Sequence, residues 1–162
     1  MKSLTQLKAV HLQLESTFPC SDVQEVEKKS KPLEAIQKKG QGKVLVIDDE
    51  ETVRVTASMM LESFGFSVLT AQDGEVGVQV FREHQDEVSA VLLDMTMPKM
   101  DGEECYRELR AIDPNVVVIL SSGYNQQDAT NRFAGKGLAG FIQKPYLPSG
   151  LRDIIFKVLG QS

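Results

Sequence analysis

The chain reads as an α/β protein built on a doubly wound, five-stranded parallel sheet, preceded by a short N-terminal extension. Three observations carry that reading. Five short apolar runs recur at even spacing between residues 43 and 143. Stretches with apolar residues three and four apart separate them, which is the pattern of repeated strand–helix units. Four of the five runs end in a polar group able to do chemistry. In open α/β sheets the carboxyl ends of the strands form the edge where ligands bind.

The elements follow in order. Strand one covers about 43–48, with Val44-Leu45-Val46-Ile47 running into Asp48-Asp49. Its helix, about 51–64, carries Val53, Ala57, Met60, Leu61 and Phe64 as an apolar stripe, and Gly65 stops it. Strand two, 66–70, ends in Thr70-Ala71 without an obvious functional group. Asp73 caps a helix of about 74–84 that turns Val76, Val80 and Phe81 inward. Strand three, 88–93, delivers Asp94, and the loop Met95 to Gly102 leads into a helix of about 103–111. Strand four, 116–121, runs into Ser121-Ser122. Helix four, about 125–134, is weakly specified because Gly135, Gly137 and Gly140 crowd its end. Strand five, 139–143, precedes Lys144-Pro145. Pro148 opens a last helix with Leu151, Ile154, Ile155 and Val158 as its buried stripe.

Composition narrows the function classes. The 162 residues suit one domain plus an extension, and 41% hydrophobic residues suffice for a core. A net charge of −5 argues against non-specific nucleic-acid binding. No apolar stretch approaches the ~20 residues of a membrane helix, and no secretory signal is visible. Cys20 and Cys105 have neither metal-site nor disulfide spacing, so the expected compartment is the reducing cytoplasm.

Taken singly, each polar residue has an ordinary explanation. Asp49, Glu50 and Glu51 are acids at a helix start, Asp94 is a turn residue, Ser122 satisfies local backbone, and Lys144-Pro145 is a loop. Together they place three carboxylates, a hydroxyl and an ammonium at one sheet edge. Close carboxylates repel and call for a cation. An oxygen-only set without His or Cys disfavours zinc and suits Mg²⁺, which is commonly shared with a phosphate. No glycine-rich phosphate loop is present, so a nucleophile for a phosphoryl group has to come from the cluster, and an Asp carboxylate can serve.

These residues carry a close resemblance. Val44-Leu-Val-Ile-Asp48-Asp49-Glu50, Leu-Leu-Asp94-Met-Thr-Met-Pro98-Lys-Met-Asp101-Gly102, Ile-Leu-Ser-Ser122-Gly123-Tyr124 and Gly140-Phe141-Ile-Gln-Lys144-Pro145 resemble the receiver domain of bacterial two-component response regulators. The resemblance spans residues 43–160 and implies a flavodoxin-like sheet in order 2-1-3-4-5. It implies that Asp94 accepts the phosphoryl group. It makes Asp49 and Asp94 direct Mg²⁺ ligands with the backbone carbonyl of Thr96, and Asp48 a ligand through water. Ser122 takes the hydroxyl switch position, Phe141 the switch aromatic and Lys144 the lysine position, with a cis bond to Pro145. Ser122 is preferred to Ser121 because Gly123 follows it and alternation puts the two serines on opposite faces. The implied function is a phosphorylation-dependent signalling switch rather than an enzyme on external substrates. Its partner is a sensor histidine kinase or a hybrid-kinase domain, and its output face is helix four, strand five and helix five. Homodimer contacts through that face or through the extension stay open.

Two other readings fit less well. A haloacid-dehalogenase-type phosphatase needs Asp-x-Asp, and Thr96 stands where the second Asp would be. A receiver-like module without phosphorylation would lack one of Asp49, Asp94 and Lys144. Residues 1–42 form the extension: a charged linker around Pro32, then Gly40-Gln41-Gly42 as a flexible joint. Leu4, Leu7, His11 and Leu14 could line a short helix, with His11 a face residue rather than a phosphorylated one. Ser21-x-x-Gln24 fits a capping box. Ser16-Thr-Phe-Pro19 resembles the end of a histidine-kinase ATP-binding domain, which would make the chain the C-terminal receiver of a hybrid kinase. No output domain is expected after residue 160.

Overall fold

The computed structural model describes residues 40–161, and in it the five apolar runs pair as one parallel sheet. The strands are β1 Lys43–Ile47, β2 Ser67–Ala71, β3 Val88–Asp94, β4 Val118–Ser122 and β5 Gly140–Gln143. Their order is β2-β1-β3-β4-β5, so β1 and β3 lie side by side where the winding reverses. A strand covered on both faces needs an unbroken apolar run rather than an alternating one. Val44–Ile47, Ala90–Leu93 and Val118–Leu120 satisfy this, none being more than 2% exposed.

Alternation along those strands splits the interior into two layers. Leu45, Ile47, Val91, Leu93, Val118 and Leu120 point to one face. There they meet Phe81 of α2 (Gly74–Glu83), Tyr106 and Leu109 of α3 (Gly102–Ile112), and Phe133 of α4 (Gln126–Phe133). Val44, Val46, Ala90, Leu92 and Ile119 point to the other. Ala57 and Leu61 of α1 (Glu51–Ser63) cover them, with Leu151, Ile155 and Phe156 of α5 (Pro148–Val158). The stripes expected on the first and last helices are therefore the buried faces of α1 and α5.

Helix ends follow local chemistry. The Asp73 carboxylate accepts from the Val76 amide at 2.8 Å, and Asp101 accepts from Glu104 at 2.9 Å. Gly65, at φ 99°, ends α1 in a conformation that suits glycine. Pro148 opens α5 at a position where a missing amide proton costs nothing. The Lys144–Pro145 peptide bond is cis, as the resemblance implied.

Two expectations need correcting. Strand four starts at Val118 and includes Ser122, instead of spanning 116–121. The Val116 amide closes a turn on the Asp113 carbonyl at 3.1 Å, so a buried apolar residue there belongs to the turn. Gly40-Gln41-Gly42 is not a loose joint. The Gly40 amide donates to Phe64 O at 2.6 Å, and Gly42 O accepts from the Ser67 amide at 3.1 Å. Gln41 exchanges two hydrogen bonds with the Gln161 side chain, at 3.0 and 2.8 Å. The expectations for Leu4 to Leu14 with His11, for Ser16–Pro19, Cys20 and the Ser21 box, and for the linker before Gly40 lie outside the described residues.

Gly102 marks the tightest packing beside the strand-three end. A Cβ there would sit 2.7 Å from both the Asp94 carbonyl and Met95 Cα, which are backbone atoms that cannot swing away. Gly150, in the first turns of α5, has nothing within 4 Å of the same position. Gly102→Ala should therefore cost about 1–3 kcal/mol of overpacking strain. Gly150→Ala should gain up to about 1 kcal/mol from helix propensity. Urea unfolding of the two variants checks the contrast; equal effects would contradict the packing assignment.

Candidate phosphoacceptor site

The parallel sheet brings the polar strand ends to one edge. One carboxylate oxygen each from Asp48, Asp49 and Asp94 lies within 4.8 Å of the others. Asp48 and Asp94 are buried, at 2% and 5% exposure, whereas Asp49 is exposed. Lys144 reaches in from the end of β5. Its Nζ donates to Asp48 Oδ2 at 2.6 Å and lies 3.2 Å from Asp94 Oδ1.

Each group is held by its own element. The Asp48 amide continues the β1–β2 ladder by donating to Ala71 O at 3.2 Å, and Asp48 Oδ1 accepts from the Glu50 amide at 3.0 Å. The Arg54 guanidinium donates to the Asp48 carbonyl at 2.7 Å. On β3, the Met95 amide donates to Ser121 O at 3.0 Å, and the Gly102 amide donates to Met95 O at 3.0 Å. The loop that carries Thr96 is thereby closed against the sheet.

The electrostatics follow from burial. Asp94 has its pKa raised from 3.8 to about 6, first by burial, then by the charge of Asp48, against the lowering pull of Lys144 and the Thr96 backbone hydrogen bond. Burial would lower the Lys144 pKa, but its hydrogen bond to Asp48 and the charges of Asp94 and Asp48 outweigh that and hold it above the usual value. Three carboxylates against one ammonium leave a deficit of two positive charges. The oxygen-only donor set fits a hard divalent cation such as Mg²⁺.

Not every expected residue faces the cluster in the same way. Ser122 is buried, and its Oγ accepts from the Tyr124 amide at 3.0 Å, the local backbone bond that a lone serine would be expected to make. Its carbonyl accepts from the Lys144 amide at 2.8 Å, tying β4 to the residue after β5. Phe141 is half-buried and packs on the core layer that holds Phe133. It borders a groove of about 350 Å³ between α4 and β5, lined also by Gln126, Thr130 and Leu138. Sequence reasoning missed Arg54 and Tyr146. The Arg54 contact is to a backbone carbonyl, which leaves no residue pattern. Tyr146 stands two residues after Lys144, and only that proximity hinted at a role.

The sequence profile of the response regulator receiver domain matches residues 44–156. The chain belongs to that family. It is 32% identical over 132 residues to the sensor kinase CckA of Brucella abortus, which covers 82% of this chain but only 14% of that protein. It is 31% identical to the chemotaxis protein CheY of Thermotoga maritima, across 72% of this chain and 96% of CheY. It thus spans a small part of some relatives and nearly the whole of others. A solved receiver domain from Clostridium thermocellum superposes with a TM-score of 0.70 at 31% identity, covering 75% of this chain and 96% of that one. CheY of Borrelia burgdorferi, solved in a CheX-CheY-BeF3-Mg+2 complex, gives 0.69 at 31% identity, covering 72% and 88%. The receiver is a phosphorylation-dependent signalling switch of the two-component type, and its family generally binds Mg²⁺ at an acidic pocket. Among the described residues, no helix is long and apolar enough to cross a membrane.

The raised Asp94 pKa makes a stability prediction. A carboxyl whose folded pKa exceeds its unfolded value stabilises the fold below the unfolded pKa, and that contribution is lost as pH rises through the folded one. Between pH 4 and 6 the receiver should therefore lose on the order of 2–3 kcal/mol from this group. Asp94→Asn should be the more stable protein at pH 7, with the gap closing by pH 4. Thermal unfolding across that range in the absence of divalent cations is the measurement, and a gap independent of pH would refute the assignment.

Proposed function

We propose that Asp94 is the phosphoacceptor and that Ser122, Phe141 and Lys144 turn its phosphorylation into a change of partner binding. The observation that carries this reading is the buried Asp94 carboxylate, which shares the Lys144 ammonium with Asp48 at the switch point of the sheet. In this reading Asp49, Asp94 and the Thr96 carbonyl would hold Mg²⁺ directly, and Asp48 would act through water. Mg²⁺ supplies charge neutralisation where an anionic nucleophile meets an anionic donor.

The chain's own residues then divide the work. An Asp94 oxygen attacks phosphorus and forms the acyl-phosphate bond. The bond from phosphorus to the donor breaks, and the donor leaves with that electron pair. Lys144 pairs with a phosphoryl oxygen, and the Ser122 hydroxyl donates to another. That gives the phosphoryl group contacts it makes in one state only, which is what a population shift requires. As Ser122 moves inward, the Phe141 ring follows and reshapes the α4–β5 groove. Phe carries no hydroxyl to hold the ring outside, so the resting state is less exclusive than with Tyr. The domain catalyses only its own phosphorylation and dephosphorylation, by accepting from a histidine kinase or hybrid-kinase partner in the cytoplasm.

Labelling tests the acceptor. With Mg²⁺, acetyl phosphate should phosphorylate the wild type, and Asp94→Asn should take no label. Asp48→Asn should label more slowly, and chelation of Mg²⁺ should stop the reaction. The cation alone should bind in the millimolar range, as sites that leave several waters on Mg²⁺ do. Label persisting on Asp94→Asn would overturn the assignment.

Lys144 tests the coupling. Lys144→Ala should fold, because its ammonium sits at the sheet edge rather than in either core layer. In the wild type, beryllofluoride with Mg²⁺ should change hydrogen exchange at residues 122–145. In the variant that change should fall several-fold while the 94–97 loop still responds. Equal changes in both proteins would remove Lys144 from the switch.

A further inference from the structure

Among the described residues, the Tyr146 hydroxyl is buried and has no hydrogen-bond partner. The ring is wedged against the α1–α5 core layer. It also walls a cavity of about 410 Å³ with Glu50, Thr52, Val53 and Lys144. A buried hydroxyl without a partner destabilises the state that contains it. A partner for that donor in the other state would remove the cost.

The charges around Tyr146 indicate where its hydrogen bond could go. Its pKa is pushed far up, first by burial and then by the charges of Asp48 and Asp94, so the group stays an O–H donor. It shares a cavity wall with Lys144 and Glu50, both of which hydrogen-bond Asp48. At rest Asp48 has no need of it. Asp48 Oδ1 accepts from the Glu50 amide at 3.0 Å, and Oδ2 from Lys144 at 2.6 Å. Once Asp94 carries a phosphoryl group, the ammonium faces a dianion beside it and turns away from Asp48. An Asp48 oxygen, 2% exposed, would then lose its protein donor and keep only water held by the cation, so a second fixed donor beside it stabilises that state. The Arg54 guanidinium donates to the Asp48 backbone carbonyl, at 2.7 Å, and not to its carboxylate. Ser122 lies at the end of β4, on the far side of β3 from Asp48.

We propose that Tyr146 is a positioning residue for phosphoryl transfer, its hydroxyl taking over the hydrogen bond to Asp48 that Lys144 gives up when the ammonium turns to the phosphoryl group on Asp94. The inference rests on Asp94 being the phosphoacceptor. It gives the residue opposite roles in the two states: a small burden at rest and a support when phosphorylated. A ring present only for packing would not reverse sign in that way.

Tyr146→Phe in the full chain removes the hydroxyl and keeps the ring. Without beryllofluoride the variant should unfold at the same temperature as wild type or higher. Its affinity for beryllofluoride with Mg²⁺, read by calorimetry or NMR titration, should fall at least about tenfold, the worth of a hydrogen bond to a charged acceptor. In an Asp48→Ala background the same substitution should change that affinity less than twofold, because the acceptor is gone. Equal affinity for wild type and Tyr146→Phe overturns the proposal, as does an equal loss in both backgrounds or a destabilised resting state. A wild type that binds no beryllofluoride while it folds normally would instead overturn the assignment of Asp94, and this proposal with it.

Discussion

The Lys144 ammonium between Asp48 and Asp94 is the contact on which the rest of the site depends. Two carboxylates at 2% and 5% exposure would repel in a medium that screens poorly, and one of them would stay protonated. The ammonium offsets part of that repulsion, at 2.6 Å from one and 3.2 Å from the other. It has to come from far across the sheet. β5 lies three strand positions from β1, roughly 14 Å at ordinary spacing, so the loop after β5 must lean over the edge to deliver it. The fold therefore holds a partly neutralised cluster. It is stable enough to form, and it still lacks positive charge. A divalent cation and a phosphoryl group can enter together because one supplies what the other adds.

The same contact gives the site its mechanical reach. Lys144 is tied through its amide to Ser122 O at 2.8 Å, and Ser122 Oγ is tied to the Tyr124 amide at 3.0 Å. The ends of β4 and β5 thus share one short chain of hydrogen bonds with the cluster. In the proposed switch, a shift of the ammonium would reach the start of the β4–α4 loop through that chain. The layers themselves are close-packed aliphatic and aromatic side chains with little freedom to move. The proposed change falls at the margin of one layer, where Phe141 borders the α4–β5 groove and where α4 has only eight residues.

Sequence made the frame legible because burial on both faces leaves a plain mark. Val44–Ile47 and Ala90–Leu93 are unbroken apolar runs, and each stops where the chain leaves the core and meets the polar edge. The acidic residues were legible for the same reason, since a parallel sheet sends the residue after every such run to one side. Other features left no such mark. Val116 is apolar and buried but belongs to a turn, because burial and strand pairing are separate properties. The Gly40-Gln41-Gly42 segment reads as a joint, yet it is pinned by backbone groups and by Gln161, 120 residues away from Gln41. Arg54 and Tyr146 escaped because one binds a carbonyl and the other has, in this state, nothing to bind.

Under the proposed switch, the surroundings of Ser122 indicate how its balance would be set. To donate toward a phosphoryl group its hydroxyl must swing inward, and the 3.0 Å bond from the Tyr124 amide would be lost. A backbone amide left bare in a core would make that step expensive. Tyr124, however, is 64% exposed, in a loop that opens to solvent. Water can take over the amide at little cost. The resting position of Ser122 is therefore only weakly held. The larger resistance to switching has to lie where solvent cannot compensate, in moving the Phe141 ring against the Phe133 side of the core. In the proposed switch the groove between α4 and β5, more than the serine, would therefore set how much of the active arrangement exists before phosphorylation.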